Sequence, residues 1–159
     1  MHKENSIVIQ VPRMRIFETA SDLSLWPRIL PHYRWVHYLE KSPRKNLVVM
    51  AAKRGWIPIT WTSEEEIDPE RMEVRFHHLK AFTKGMDVVW SFRESEGGVL
   101  VTISHELKPT IPIVGRFVAE RIIGDFFIHY VANETLKHMK IYLEANSSLK
   151  PIAGDQRVG

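Results

Sequence analysis

The sequence predicts an α+β domain in which one antiparallel sheet is built around a long C-terminal helix. Three observations carry this reading. Short runs of strand character follow one another from Tyr33 to Leu107, each bounded by turn residues. No helical pattern separates them, so they form a meander and not βαβ units. A single apolar helical stretch, Thr110 to about Glu144, follows the last of them.

The elements are read in order. Ile7 to Val11 alternates as a short first strand. Pro12 then suits the first turn of a helix that fades near Ser21 and Asp22. A second short helix runs from Ser24, its cap, to Leu30, with Pro31 as the stop. The meander strands are Tyr33–Lys41, Leu47–Lys53, Ile57–Ile67, Met72–Leu79, Met86–Glu94 and Val99–Leu107. Gly55, Asp68-Pro69 and Gly97-Gly98 mark turns between them. About seven strands are therefore expected. In the final helix Thr110 is the cap and Pro112 lies in the first turn. Its many apolar residues require cover on much of its girth. Residues 1–145 form the domain, and 146–159 read as a polar tail.

Composition limits the chemistry. At 159 residues and 44% hydrophobic content the chain fits one domain with a sizeable core. A net charge of +3 with scattered Lys and Arg gives no nucleic-acid signature, so no nucleic-acid partner is expected. The absence of cysteine excludes thiolate catalysis, disulfides and Cys-ligated zinc. No signal peptide or membrane span is expected, and the cytoplasm is the expected location.

Strand alternation assigns inward-facing side chains. Large aromatics dominate them: Trp35, Trp61, Phe76, Trp90 and Phe92. Polar groups interrupt them at His37, Ser63, Glu65, His78 and His105. An unpaired buried polar group costs on the order of 1–3 kcal/mol, so a filled core would carry few of them. An apolar cavity with a few convergent polar groups is the expectation. Glu65, with His78 or His105, is the candidate general base, the competing role being an ion pair with Arg54. Glu64 and Glu66 alternate to the outer face, and His77 points away from His78. The spacing of His37, His78 and His105 is not a metal motif, and neither metal nor cofactor is expected. Ile111, Ile113, Val114 and Phe117 read as helix packing against the sheet, with a portal flap or a transient membrane contact as the alternative.

The order strand, two short helices, six-strand meander and long helix resembles the helix-grip fold of the START-like superfamily. The segment from Asp22 to Glu40, with Trp26-Pro27 and Leu30-Pro31, is similar to the opening of its polyketide cyclase and coenzyme Q-binding branch. Trp61-Thr62-Ser63 before a Glu-rich stretch and Asp68-Pro69, and Trp90-Ser91-Phe92 before Gly97-Gly98, fit the same branch. The resemblance implies that Trp26, Tyr33, Trp61 and Ser63 line a ligand pocket. Trp35, His37, Trp90, Phe126 and Tyr130 complete the candidate set. It also implies a departure, because Glu65 stands where the polyketide enzymes tend to carry an arginine. The function expected is binding of a hydrophobic or aromatic small molecule (a quinone, lipid or polyketide-like compound) between sheet and helix. The alternatives are a polyketide aromatase/cyclase or dehydratase using the cavity polar groups, and a regulatory or chaperone-like partner domain with a filled core.

Overall fold

The computed structural model describes residues 2–81, 83–107, 117, 121 and 124–147. Strand β1 (His2–Ile9) leads into helices α1 (Arg13–Ser21) and α2 (Trp26–Ile29). Strands β2 (Tyr33–Glu40), β3 (Lys45–Arg54), β4 (Ile57–Asp68), β5 (Glu73–His78), β6 (Met86–Ser95) and β7 (Gly98–Leu107) follow. A π-helical segment, Gly124–Val131, runs directly into helix α3 (Ala132–Ser147). The strands form one seven-stranded sheet in the order β1-β7-β6-β5-β4-β3-β2, every neighbouring pair antiparallel. This is the open sheet of a helix-grip α+β fold. Helix α3 packs against β1 and α2, and the π-helical segment reaches both β1 and β3. The sheet therefore curls around the helical core.

Burial follows the pleat. On β6 the residues Met86, Val88, Trp90 and Phe92 are buried, and on β7 Val99, Val101, Ile103 and His105 are. Helix α3 contributes Ala132, Thr135, Leu136, Met139 and Leu143, a stripe at helical spacing. Among the described residues no helix is long and apolar enough to cross a membrane.

Four local expectations are corrected. Strand β1 spans His2–Ile9 and not Ile7–Val11. It pairs with β7 along its whole length, from His2 opposite Glu106 to Ile9 opposite Val99. Backbone hydrogen bonds supplied by the neighbour extend an exposed edge strand through polar residues that show no apolar pattern. Ser24 does not cap α2, which starts at Trp26; its amide and hydroxyl instead donate to the Asp22 carboxylate. On β2 the register slips between Tyr33 (opposite Ala52) and Trp35 (opposite Ala51). One extra residue reverses the facing of everything after it. Val36 and Tyr38 consequently pack on the core, whereas Trp35, His37 and Leu39 lie on the outer face. Finally, the C-terminal helix is wound as π-helix over Gly124–Val131, and α3 continues to Ser147, into the stretch read as tail.

The β6–β7 hairpin has a specific backbone requirement. Gly98 adopts φ 147°, and a Cβ there would lie 2.7 Å from the Ile9 carbonyl oxygen. Gly98→Ala is expected to cost about 2 kcal/mol or more in a urea titration, because the obstacle is backbone. Gly97 also has a positive φ (81°), but a Cβ there would meet nothing within 4 Å. Gly97→Asn should therefore stay within about 1 kcal/mol of wild type. Equal losses at the two positions would refute this assignment.

Candidate functional site

The antiparallel register places one group of side chains at one end of the sheet. Tyr33 begins β2, Trp61 lies in the first half of β4, His78 ends β5, Met86 begins β6 and His105 lies near the end of β7. Together with Trp26, Trp90 and, from the helical layer, Val131 and Thr135, they line an internal cavity of about 50 Å³. Pockets that hold drug-sized ligands measure roughly 300–1,000 Å³. As described, the cavity has room for a few waters, so a larger occupant requires lining side chains to move. Met50 and Met86, both in the lining, are the most adaptable of them.

Trp26 is the centre of the aromatic lining. Its ring lies 5.1 Å from that of Tyr33, 5.6 Å from Trp90 and 6.0 Å from Phe76. Its indole Nε1 donates to the Thr19 carbonyl at 3.3 Å, which ties α2 to α1. Trp61 stacks parallel to the His78 imidazole, centroids 6.0 Å apart and planes 3° from parallel. Four of the candidates, Trp26, Tyr33, Trp61 and Trp90, thus line one cavity.

Two imidazoles join them. His78 and His105 both line the cavity. Burial pushes His105 down to about 4, and burial followed by the charges of His105 and His77 pushes His78 down to about 3. Both rings are neutral at pH 7, so each offers one nitrogen as a hydrogen-bond donor and one as an acceptor, and burial makes them weak bases. His78 Nδ1 is 2.8 Å from the Thr83 hydroxyl. His105 Nδ1 is buried without a hydrogen-bond partner among the described residues.

A third polar group is one that the sequence reading misses. The Thr135 hydroxyl, on the cavity wall, lies 2.8 Å from His32 Nε2 and also bonds the Tyr33 phenol. Burial holds the Tyr33 phenol well above its ordinary range and lowers His32 to about 4. The available signal is a threonine set in the apolar stripe of a helix, between Val131 and Met139.

Glu65 does not join the histidines. It is fully buried, but it is not part of the cavity wall. Its strand partner is Phe76, whereas Ser63 is opposite His78, so Glu65 sits one side-chain repeat further along β4. Asn46 Nδ2 donates to one carboxylate oxygen at 2.8 Å, and the other has no partner among the described residues. Burial, and to a lesser extent the charge of Asp22, raises Glu65 to about 7, against the lowering effect of Asn46. Arg54 is not its partner: that guanidinium lies over the Tyr130 ring, 5.3 Å from the centroid.

The remaining candidates are placed as follows. Ser63 is buried, but its hydroxyl donates to the His77 carbonyl at 3.1 Å and does not line the cavity. Trp35 and His37 stack on each other outside the sheet, centroids 4.6 Å apart, because of the β2 bulge. Tyr130 is half-buried beside His32 and Arg54, off the cavity wall. The side chain of Phe126 lies outside the described residues, as do Ile111, Ile113 and Val114, and Phe117 is 73% exposed. Among the described residues no set of His, Asp and Glu comes together as metal ligands.

Comparison with known proteins agrees with this fold. The chain is 29% identical over 104 residues to a putative polyketide cyclase of Streptomyces halstedii, spanning 63% of this chain and 94% of that protein. It is 27% identical over 99 residues to the actinorhodin polyketide synthase bifunctional cyclase/dehydratase of Streptomyces coelicolor, spanning 61% of this chain and 31% of the larger protein. The Zhui aromatase/cyclase from a Streptomyces species has the same fold, with a TM-score of 0.81 at 16% identity over 97% of this chain and 98% of that one. A Thermus thermophilus protein matches with a TM-score of 0.77 at 20% identity, over 92% and 99% of the two chains. Residues 9–127 match the family model described as polyketide cyclase / dehydrase and lipid transport, and the chain belongs to that family.

Proposed function

We propose that this protein binds a hydrophobic, aromatic or polyketide-like small molecule between the sheet and the C-terminal helix. The observation that supports it most is a cavity walled by Trp26, Tyr33, Trp61 and Trp90 into which neutral His78 and His105 are set. Such a wall offers stacking faces to a planar ring. The imidazoles and the Thr135 hydroxyl offer hydrogen bonds to carbonyl or hydroxyl groups on it. Native mass spectrometry of the purified protein, followed by denaturing extraction, tests the reading. A co-purifying aromatic or lipidic compound, or uptake from a panel of quinones, fatty acids and aromatic polyketides, is expected. No uptake at all would favour a partner domain with a filled core.

The pair of neutral imidazoles also supports a second reading, cyclisation or dehydration of a bound polyketide chain. Neutral imidazoles and a neutral phenol such as Tyr33, hydrogen-bonded to Thr135, offer N–H and O–H donors to the oxyanion that develops on a carbonyl as a bound chain closes. His105→Gln and His78→Gln separate the two readings. Under the enzymatic reading, turnover of a polyketide substrate falls about 100-fold or more while binding changes little. Under pure carriage, binding of the extracted ligand shifts by about tenfold at most and no turnover is seen with either form.

A further inference from the structure

We infer that the β3–β4 hairpin tip, led by Trp56, inserts into an anionic lipid surface and holds the cavity end of the sheet against it. Strands β3 and β4 pair through Arg54 and Ile57, leaving Gly55 and Trp56 as a two-residue loop. Gly55 takes the positive φ (60°) that a tight hairpin turn of this length needs at its first position. The tip stands clear of the domain: Lys53 through Pro58 are all exposed. Trp56 is 90% exposed and Ile57 beside it 47%. A folded chain rarely projects an indole fully into water without a use for it.

The charges around the tip specify the partner. By the antiparallel register, the β3–β4 turn, the α2–β2 junction and the β5–β6 loop lie at one end of the sheet, the end that holds the cavity. That end carries exposed Arg34, Lys53, Arg54, Lys80 and Lys84, none of them in an ion pair among the described residues. Near this end Asp87 and Glu106 lie on the outer face, with Asp87 bonded to His77, and Glu134 in the helical layer is paired with Lys137 and His138. At the opposite end the cations Arg44, Lys45 and Arg71 are paired with Glu70, Glu64, Glu66 and Asp68. Five exposed cations without an ion pair among the described residues thus gather at the cavity end, and two of them, Lys53 and Arg54, directly precede the Gly55-Trp56 turn.

A lipid surface fits this arrangement better than a folded acidic protein. A stable protein interface needs on the order of 800 Å² of complementary surface on each side, and a convex two-residue tip does not present it. A headgroup layer accommodates one indole and one aliphatic side chain at the depth where tryptophan partitions, while dispersed lysines and arginines meet anionic headgroups. Contact there would set the cavity end facing the lipid phase. The inference rests on the hydrophobic-ligand reading only for its purpose, and the experiment below does not use a ligand.

Cosedimentation of the full chain with phosphatidylcholine vesicles, with and without about one-third phosphatidylglycerol, tests it. Binding to the anionic vesicles alone is expected, with Trp56 fluorescence quenched by brominated lipid. Trp56→Ala should weaken binding about tenfold or more, and Lys53→Glu with Lys84→Glu should do the same, most steeply in low salt. Ile141→Ala, an exposed apolar residue on α3, should change nothing. Unchanged thermal unfolding of Trp56→Ala confirms that the tip is not structural. Failure of the wild type to sediment with anionic vesicles at low salt overturns the inference, as does binding indifferent to Trp56. Trp56-dependent capture of an acidic protein without vesicle binding would overturn it in favour of a protein partner.

Discussion

Replacing Trp26 by alanine is expected to destabilise the protein by about 3–5 kcal/mol. That is a large part of the roughly 5–15 kcal/mol by which domains of this kind are stable. Trp26 is 2% exposed and touches three aromatic rings from three different strands, Tyr33 on β2, Phe76 on β5 and Trp90 on β6. It also fixes α2 to α1 through the bond to the Thr19 carbonyl. Its removal would enlarge a cavity that already exists beside it, and the remaining rings, held on separate strands, have little freedom to collapse inward. Trp35→Ala is the proper comparison. Trp35 is the same residue type on β2, but it is half-exposed on the outer face, and its loss should cost about 1 kcal/mol or less. Urea midpoints of the two variants decide the matter, and equal shifts would contradict the inward and outward assignment of β2.

Glu65→Gln should stabilise the protein at alkaline pH and do much less in acid. The folded state raises Glu65 from 4.5 to about 7, chiefly by burial. A raised carboxyl pKa means that the fold prefers the protonated form. The stabilising preference is therefore complete below about 4.5 and is lost as pH rises through about 7. Integrated over that window, the ionised carboxylate weakens the fold by about 3 kcal/mol. The amide introduced by Glu65→Gln would keep an acceptor for Asn46 Nδ2 without a charge to desolvate. The gain over wild type should be about 2–3 kcal/mol greater at pH 8 than at pH 5. His32, His78 and His105 act in the opposite sense: each is lowered from 6.5, so each removes stability as pH falls below that value, toward about 4 for His32 and His105 and about 3 for His78. They are shared by both proteins and cancel in the difference. A flat difference across pH, measured by chemical denaturation, would show that Glu65 is ionised with full compensation in the fold.

The meander and its inner faces are legible because side-chain alternation has a period of two wherever one face of a sheet is buried. Met86, Val88, Trp90 and Phe92 on β6, and Val99, Val101 and Ile103 on β7, point inward by that pattern alone and are buried. The same rule fails on β2. There a bulge after Tyr33 inserts one residue, and neither Trp35 nor His37 has a local feature that announces it. The extent of β1 is hidden for a related reason: an edge strand is stabilised by its neighbour's backbone and needs no apolar side chains to say where it starts.

For the site, the residue pattern alone places aromatics and a few polar groups on one face of the sheet. Trp26, Tyr33, Trp61, Trp90, His78 and His105 belong to the candidate set on that basis and on the family resemblance, and these six line the cavity. Which polar groups meet is a matter of three-dimensional packing. Glu65 and the histidines face the same way, yet a displacement of one repeat along β4 puts Glu65 with Asn46 and leaves His78 and His105 with the cavity. Thr135 reaches His32 and Tyr33 across about a hundred residues of chain, a contact that no local pattern encodes. Alternation fixes the side of a sheet on which a residue lies. Its depth along the strand relative to other strands, and its partners on the helix, follow from register and packing.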